Sequence, residues 1–88
     1  MLELEAHFKG RVQGVGFRAA TCQVAREMNL VGYVSNLKDG RVLLVAQGSK
    51  EELAIFLSKI QKKFEREIIE CDHTVRPLEK NLLSFRVE

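Results

Sequence analysis

The sequence changes its hydrophobic period across a short glycine-rich segment near its N-terminus. In residues 2–8, apolar residues alternate with polar ones, which predicts a strand with one buried face. The segment GRVQGVGFR follows at residues 10–18, and beyond it Ala20, Val24 and Met28 recur at the spacing of an amphipathic helix, with Thr21 and Ala25 beside them. The chain is therefore predicted to open with a strand, a glycine loop and a helix in direct succession.

A hairpin and a second helix are predicted next. Asp39-Gly40 is a turn signal between two runs rich in β-forming residues, so residues 30–47 are predicted to form a β-hairpin. Ser49 and Glu52 match a capping box, in which each side chain satisfies a free main-chain amide at a helix start. The apolar residues that follow at helical spacing predict a helix that ends near Lys63.

Strand-like residues complete the chain. Residues 68–75 are rich in β-branched residues, Pro77 interrupts them, and a last alternation follows at Leu83, Phe85 and Val87. The order is strand, helix, strand, strand, helix, strand, with a short terminal strand. This order predicts an α+β ferredoxin-like sandwich, with an antiparallel sheet and two helices on one face. A chain of 88 residues is too short for two cores, so residues 1–88 are predicted to form a single domain.

Composition narrows the possible classes of function. The 14 Lys and Arg residues exceed the 12 Asp and Glu residues by a net charge of only +2, too little for a general nucleic-acid binder. No apolar run is long enough to span a bilayer, and the N-terminus lacks the pattern of a signal peptide. Cys22 and Cys71 lack metal or redox spacing, which favours a cytoplasmic protein and leaves their pairing open. His7 and His73 also lack ligand spacing, so no metal site is expected.

The glycine-rich segment is the part of the sequence best suited to an anion. A loop that leads from a strand into a helix gathers unpaired N–H groups at the positive end of the helix dipole. Gly14 and Gly16 permit positive φ, and Arg18 adds a guanidinium that can bind two phosphate oxygens. From spacing alone two interpretations stay open, a phosphate site and a glycine turn that only reverses the chain. The pattern of a P-loop nucleotide triphosphatase is absent.

Two longer motifs resemble those of a known family. Residues 10–18, GRVQGVGFR, look like the first signature of the acylphosphatases, and residues 32–42, GYVSNLKDGRV, followed by Gly48, are similar to the second. The resemblance covers the whole chain in its order of elements, with little contribution from residues 62–82. It implies an enzyme that hydrolyses the mixed anhydride of a carboxylic acid and phosphate without metal or cofactor. Its partner would be a small-molecule acyl phosphate, and the protein is expected to be a monomer.

The resemblance also implies site residues. The arginine of the first motif corresponds to Arg18, which would bind the phosphoryl group, and the asparagine of the second to Asn36, which would position the attacking water. The remaining phosphate donors would be main-chain amides of Gln13, Gly14, Val15, Gly16 and Phe17. Ser35 stands where the family more often has a longer polar or basic residue, which leaves substrate affinity open.

The predicted topology brings these two motifs together. The strand ending at Asn36 is expected to run parallel to the first strand, with the other hairpin strand between them, so both end at one edge of the sheet. We expect the fold to hold one amide group of Asn36 while the other binds water. Two rival hypotheses remain, a phosphate-binding module without turnover and an RNA-binding ferredoxin-like domain. The weak net charge and the lack of a paired aromatic motif disfavour RNA binding.

Overall fold

Both helices pack on one face of a five-stranded sheet in the computed structural model, which describes residues 1–88. The elements, in chain order, are β1 Leu2–Gly10, α1 Phe17–Glu27, β2 Val31–Asn36, β3 Val42–Gly48, α2 Lys50–Lys63, β4 Ile68–Pro77 and β5 Phe85–Val87. None of the helices is long and apolar enough to cross a membrane. The predicted order of elements is confirmed, including the short terminal strand.

The sheet order is β4-β1-β3-β2-β5. β1 pairs antiparallel with both β3 and β4, and β2 pairs antiparallel with β3, as predicted for a ferredoxin-like sandwich. The terminal strand adds one feature, because β5 pairs parallel with β2 and makes the sheet mixed. β1 and β2 are parallel to each other with β3 between them, so their C-terminal ends lie at the same edge of the sheet.

Local sequence signals account for the helix boundaries. The Ser49 hydroxyl accepts a hydrogen bond from the Glu52 N–H at 3.1 Å, and the Glu52 carboxylate accepts from the Ser49 N–H at 2.9 Å. This capping box starts α2 where the sequence predicted, and α2 ends at Lys63. α1 has no side-chain cap and starts after Gly16, whose φ is 82°. A left-handed residue at this position turns the chain from the loop into the helix.

The core lies between the sheet and the helices. In β1 the alternation predicted from the sequence is confirmed, since Leu4, Ala6 and Phe8 are buried. Three phenylalanines from β1, α1 and the end of α2 pack in series, with ring centroids 5.0 Å apart for Phe8 and Phe17 and 4.7 Å apart for Phe17 and Phe64. Apolar burial of this kind is the main stabilising contribution to a domain of this size.

The buried face of α1 is centred on the side of the predicted apolar face that carries Thr21 and Ala25. Phe17, Thr21, Cys22 and Ala25 are the buried residues of the helix, whereas Ala20, Val24 and Met28 are only partly buried against the core. The Thr21 hydroxyl has no hydrogen-bond partner although the residue is fully buried. The buried face of α1 therefore places one polar atom inside the apolar layer.

A buried glutamine holds the connection between β4 and β5 against the other face of the sheet. Gln47 of β3 is 2% exposed. Its Nε2 donates to the Lys80 carbonyl at 2.7 Å and to the Glu3 carboxylate at 2.9 Å, and its Oε1 accepts from the Leu82 N–H at 2.9 Å. All three polar contacts of the side chain are thus made within the protein, and they direct the chain towards β5.

Candidate active site

The loop between β1 and α1 is fixed at both ends and open in the middle. Val12 and Phe17 are each 1% exposed, whereas Gly14 and Gly16 are exposed. The φ angles of these glycines are 76° and 82°, the left-handed region that glycine adopts at little cost. A Cβ at either glycine would meet no other atom within 4 Å. The glycines are therefore required for backbone conformation, and the space beside them is open to a ligand.

Arg18 follows the loop in the first turn of α1. Its side chain is partly exposed, and its Nη1 donates a hydrogen bond of 2.8 Å to the main-chain oxygen of Glu88. A guanidinium has five N–H donors, so this contact leaves most of them available to an anion. The contact also orients the side chain at the N-terminus of the helix, where the helix dipole favours negative charge.

Asn36 is the last residue of β2 and is exposed. Its side chain makes no hydrogen bond within the protein, so the expectation that the fold holds one of its amide groups is not met. The main chain positions Asn36, because the residue pairs with Val42 of β3 and the Leu37 N–H that follows it donates to the Arg41 carbonyl at 2.8 Å. Both amide groups of Asn36 are therefore free to bind a water or a ligand.

Arg18 and Asn36 line one cavity of about 190 Å³. The cavity is lined by Val12, Gly14, Gly16, Phe17, Arg18, Ala19, Asn36 and Val87. The structure thus brings together Gly14, Gly16, Phe17, Arg18 and Asn36 among the residues implicated by the sequence, whereas Gln13 and Val15 do not line the cavity. The parallel course of β1 and β2 explains why segments 18 residues apart in sequence meet at one sheet edge.

Gln13 instead points its side-chain amide at the hairpin turn. Its Nε2 donates to the Leu37 carbonyl at 2.8 Å and to the Arg41 carbonyl at 3.0 Å. The sequence motifs implicate only the main-chain amide of this residue, and the contacts of its side chain are not predicted from them. The available signal is a polar residue between valine and glycine in the loop, and it does not identify partners 24 and 28 residues away.

The turn after β2 contains an internal ion pair. The Asp39 carboxylate accepts from the Arg41 main-chain N–H at 3.1 Å and from the Arg41 Nε at 2.8 Å. These contacts, the main-chain hydrogen bond first, lower the pKa of Asp39 below its ordinary value. The turn that follows Asn36 is therefore held by an ionised carboxylate as well as by the main chain.

A larger cavity of about 900 Å³ lies on the other side of the turn. It is lined by His7, Lys9, Gly10, Arg11, Asp39, Gly40, Arg41, Arg66, Glu67, Ile69, Glu70 and Asp72. Four basic side chains face four acidic ones there, so this surface has no preference for an anion. No group of three His, Cys, Asp or Glu residues is arranged to hold a metal ion, and both cysteines are free thiols. The smaller cavity is the better candidate for phosphate.

Comparison with known proteins decides the family. The model of the acylphosphatase family matches residues 4–87. The chain belongs to the acylphosphatase family. The acylphosphatase of Thermus thermophilus is 52% identical over 62 residues, which cover 70% of each chain.

Solved acylphosphatases share the fold. The crystal structure of acylphosphatase from Bacillus subtilis superimposes with a TM-score of 0.91 at 28% identity, covering 100% of this chain and 99% of that one. An acylphosphatase from Coxiella burnetii matches with a TM-score of 0.83 at 26% identity, covering 98% of this chain and 90% of the other. As an acylphosphatase, the protein hydrolyses acyl phosphates to a carboxylate and phosphate, and its substrate is a small molecule.

Proposed function

We propose that Arg18 and the loop amides bind the phosphoryl group of the acyl phosphate and that Asn36 orients the attacking water. The observation that carries this proposal is the shared cavity, which Arg18 and Asn36 both line although they lie on different elements. The same cavity is bordered by Gly14 and Gly16, beside which a Cβ would find open space. A phosphoryl group there would contact main-chain amides on one side and a guanidinium on the other.

The electrostatics of the loop suit this binding role. The main-chain amides of Gln13, Gly14, Val15, Gly16 and Phe17 lead into α1, and the first N–H groups of a helix have no partner within the helix. Together with the Arg18 charge they stabilise the negative charge on the three equatorial phosphoryl oxygens in the transition state. Donors that are already in place when the substrate arrives need little reorganisation during the reaction.

Asn36 would act on the nucleophile. Its amide carbonyl accepts a hydrogen bond from a water, which leaves a lone pair of the water oxygen directed at phosphorus. The new bond joins the water oxygen to phosphorus, and the bond from phosphorus to the acyl oxygen breaks with its electron pair on the carboxylate. Asn36 is neutral and a poor base, so the water proton passes to a phosphoryl oxygen. The carboxylate is a good leaving group and needs no protonation.

Benzoyl phosphate hydrolysis tests these assignments. We expect Arg18→Ala to lower kcat/KM by about 100-fold or more, as loss of a preorganised donor does elsewhere, and Asn36→Ala to lower kcat by a similar factor. Arg26→Ala is the matched control for Arg18, because Arg26 is also on α1 and donates to a main-chain oxygen, that of Phe85, at 3.1 Å. Full activity of a folded Arg18→Ala or Asn36→Ala variant would overturn the assignment.

We further propose that the protein works as a monomeric single domain in the cytoplasm. Support for the monomer is that one chain alone brings Arg18 and Asn36 to the same cavity, and support for the cytoplasm is that Cys22 and Cys71 are free thiols. Size-exclusion chromatography with light scattering, read at working concentrations, should give the mass of one 10.0 kDa chain. A stable dimer that loses activity on dilution would contradict the monomer.

A further inference from the structure

We propose that the Gln13 side chain is a positioning residue that holds Asn36 in register with the phosphate-binding loop. This inference rests on the proposed roles of Arg18 and Asn36. The Gln13 side chain is bonded to the turn after β2 and does not line the cavity, so it would act through the geometry of the site and not through contact with the substrate.

Both donor hydrogens of the Gln13 amide are used. One Nε2 donates to the Leu37 carbonyl at 2.8 Å and to the Arg41 carbonyl at 3.0 Å. A primary amide nitrogen has two N–H donors, so each carbonyl receives its own hydrogen bond. The two bonds fix the side chain in two directions, which a single bond would not.

The two carbonyls close the turn that follows Asn36. The Leu37 carbonyl also accepts from the Gly40 N–H at 3.2 Å, and the Arg41 carbonyl also accepts from the Leu37 N–H at 2.8 Å. Each carbonyl oxygen has two lone pairs and can accept both bonds. Gln13 is therefore attached to both ends of a turn that is already closed, one peptide unit away from Asn36.

No other hydrogen bond joins residues 13–16 to residues 36–41. Gly14 and Gly16 have no side chains to make such a contact. The main chain itself joins the two segments only through α1 and the rest of β2. The Gln13 amide is thus the direct polar link between the loop that would bind phosphate and the strand end that would bind water.

The hydrogen bonds of the Gln13 side chain should affect the rate of the chemical step more than the affinity for phosphate. In-line attack requires the water and the phosphorus atom to be aligned, and a misplacement of about 1 Å can lower the rate by about 100-fold. Phosphate binding depends on the main-chain loop amides and Arg18, which α1 and the buried Phe17 hold in place without the Gln13 side chain. Loss of the Gln13 side-chain amide should therefore lower kcat and leave phosphate affinity almost unchanged.

Gln13→Met tests the proposal, because methionine is similar in length and has no N–H donor. We expect kcat for benzoyl phosphate to fall by about 10-fold or more, with the inhibition constant of inorganic phosphate changed by less than about 3-fold. Gln23→Met is the matched control, since Gln23 is exposed on α1 and has no hydrogen-bond partner. Gln13→Asn, whose shorter side chain cannot reach both carbonyls, gives the same readout if Gln13→Met does not fold.

A double-mutant cycle with Asn36→Ala separates positioning from a general structural role. If Gln13 acts through Asn36, Gln13→Met should lower the residual kcat of the Asn36→Ala variant by less than about 3-fold. The proposal would be overturned if Gln13→Met lowered kcat by the same factor in the wild-type and Asn36→Ala backgrounds. It would also be overturned if Gln13→Met left kcat unchanged, or if it lowered phosphate affinity in proportion to kcat. Full activity of Asn36→Ala alone would instead refute the proposed role of Asn36, so the two failures are distinguishable.

Discussion

The ring of Phe8 in β1 packs against the ring of Phe17 at the start of α1, with centroids 5.0 Å apart and planes inclined at 58°. This contact joins the strand before the loop to the helix after it. The two ends of the loop are therefore held at a fixed separation, while Gly14 and Gly16 between them remain exposed. Because both flanking rings lie in the core, core packing fixes the two ends of the loop. A substitution within the loop should therefore act mainly on the local backbone conformation.

Gly16→Ala should reduce both stability and phosphate binding. An alanine at φ 82° is disfavoured by about 1–2 kcal/mol because its Cβ approaches its own main chain. No other atom lies within 4 Å of that Cβ, so this local strain is the whole expected effect on unfolding. Urea unfolding measures the first change and phosphate inhibition the second. Gly16→Asn should lose less stability, since asparagine tolerates this conformation, and an equal loss would contradict the explanation.

Asp39 should titrate below the ordinary range of an aspartate. Its pKa is lowered in the folded protein, so the hydrogen bonds of the ionised carboxylate stabilise the turn above the unfolded-state pKa of about 4 and are lost as the pH falls through the folded value. NMR titration of the carboxyl carbon measures this pKa. Arg41→Ala should restore only part of the shift, because the main-chain N–H of residue 41 still donates. An ordinary pKa in the wild-type protein would contradict the turn geometry.

Thr21→Val should leave stability unchanged or raise it by about 1 kcal/mol. The Thr21 hydroxyl is buried without a partner, and valine replaces it with a methyl group of similar size. Thermal and urea unfolding measure the change. Thr74→Val on exposed β4 is the control and should stay within about 0.5 kcal/mol of wild type. A clear loss of stability in Thr21→Val would mean that the hydroxyl has a partner in solution.

Gln47→Met should destabilise the protein by about 1–3 kcal/mol, because it removes the partners of the Lys80 carbonyl and the Leu82 N–H. The amide hydrogen of Leu82 should also exchange faster with solvent, since its acceptor is lost. Urea unfolding and hydrogen exchange measure the two effects. Gln23→Met, at an exposed position, should show neither. Slow exchange at Leu82 in Gln47→Met would show that another group holds this segment.

Local patterns in the sequence predicted most of the fold. The alternation through Phe8 gave β1 its buried face, and the capping box at Ser49 and Glu52 marked the start of α2, because both signals depend on residues close together in the chain. The parallel pairing of β5 with β2 was not predicted. A strand of three residues carries too little pattern to identify its partner more than 50 residues away.

The candidate site was also predicted in part. The motifs implicated Arg18 and Asn36, and the predicted strand order explains why both line one cavity. The side-chain contacts of Gln13 and Gln47 were not predicted, because their partners include main-chain groups, which every residue carries. A sequence shows that a polar residue is unusual among its neighbours. Its hydrogen-bond partner depends on which distant segments of the chain pack against it.

The parallel pairing of β5 with β2 has a consequence for refolding. Val87 forms one wall of the cavity, and the Glu88 oxygen holds Arg18 from 70 residues away, so a chain with every other element in place still lacks a complete site. Pairing of segments so far apart requires closing a large loop, which is slow compared with forming helices. Recovery of turnover after dilution from urea should therefore not precede the docking of β5. The appearance of activity then reports that β5 has docked.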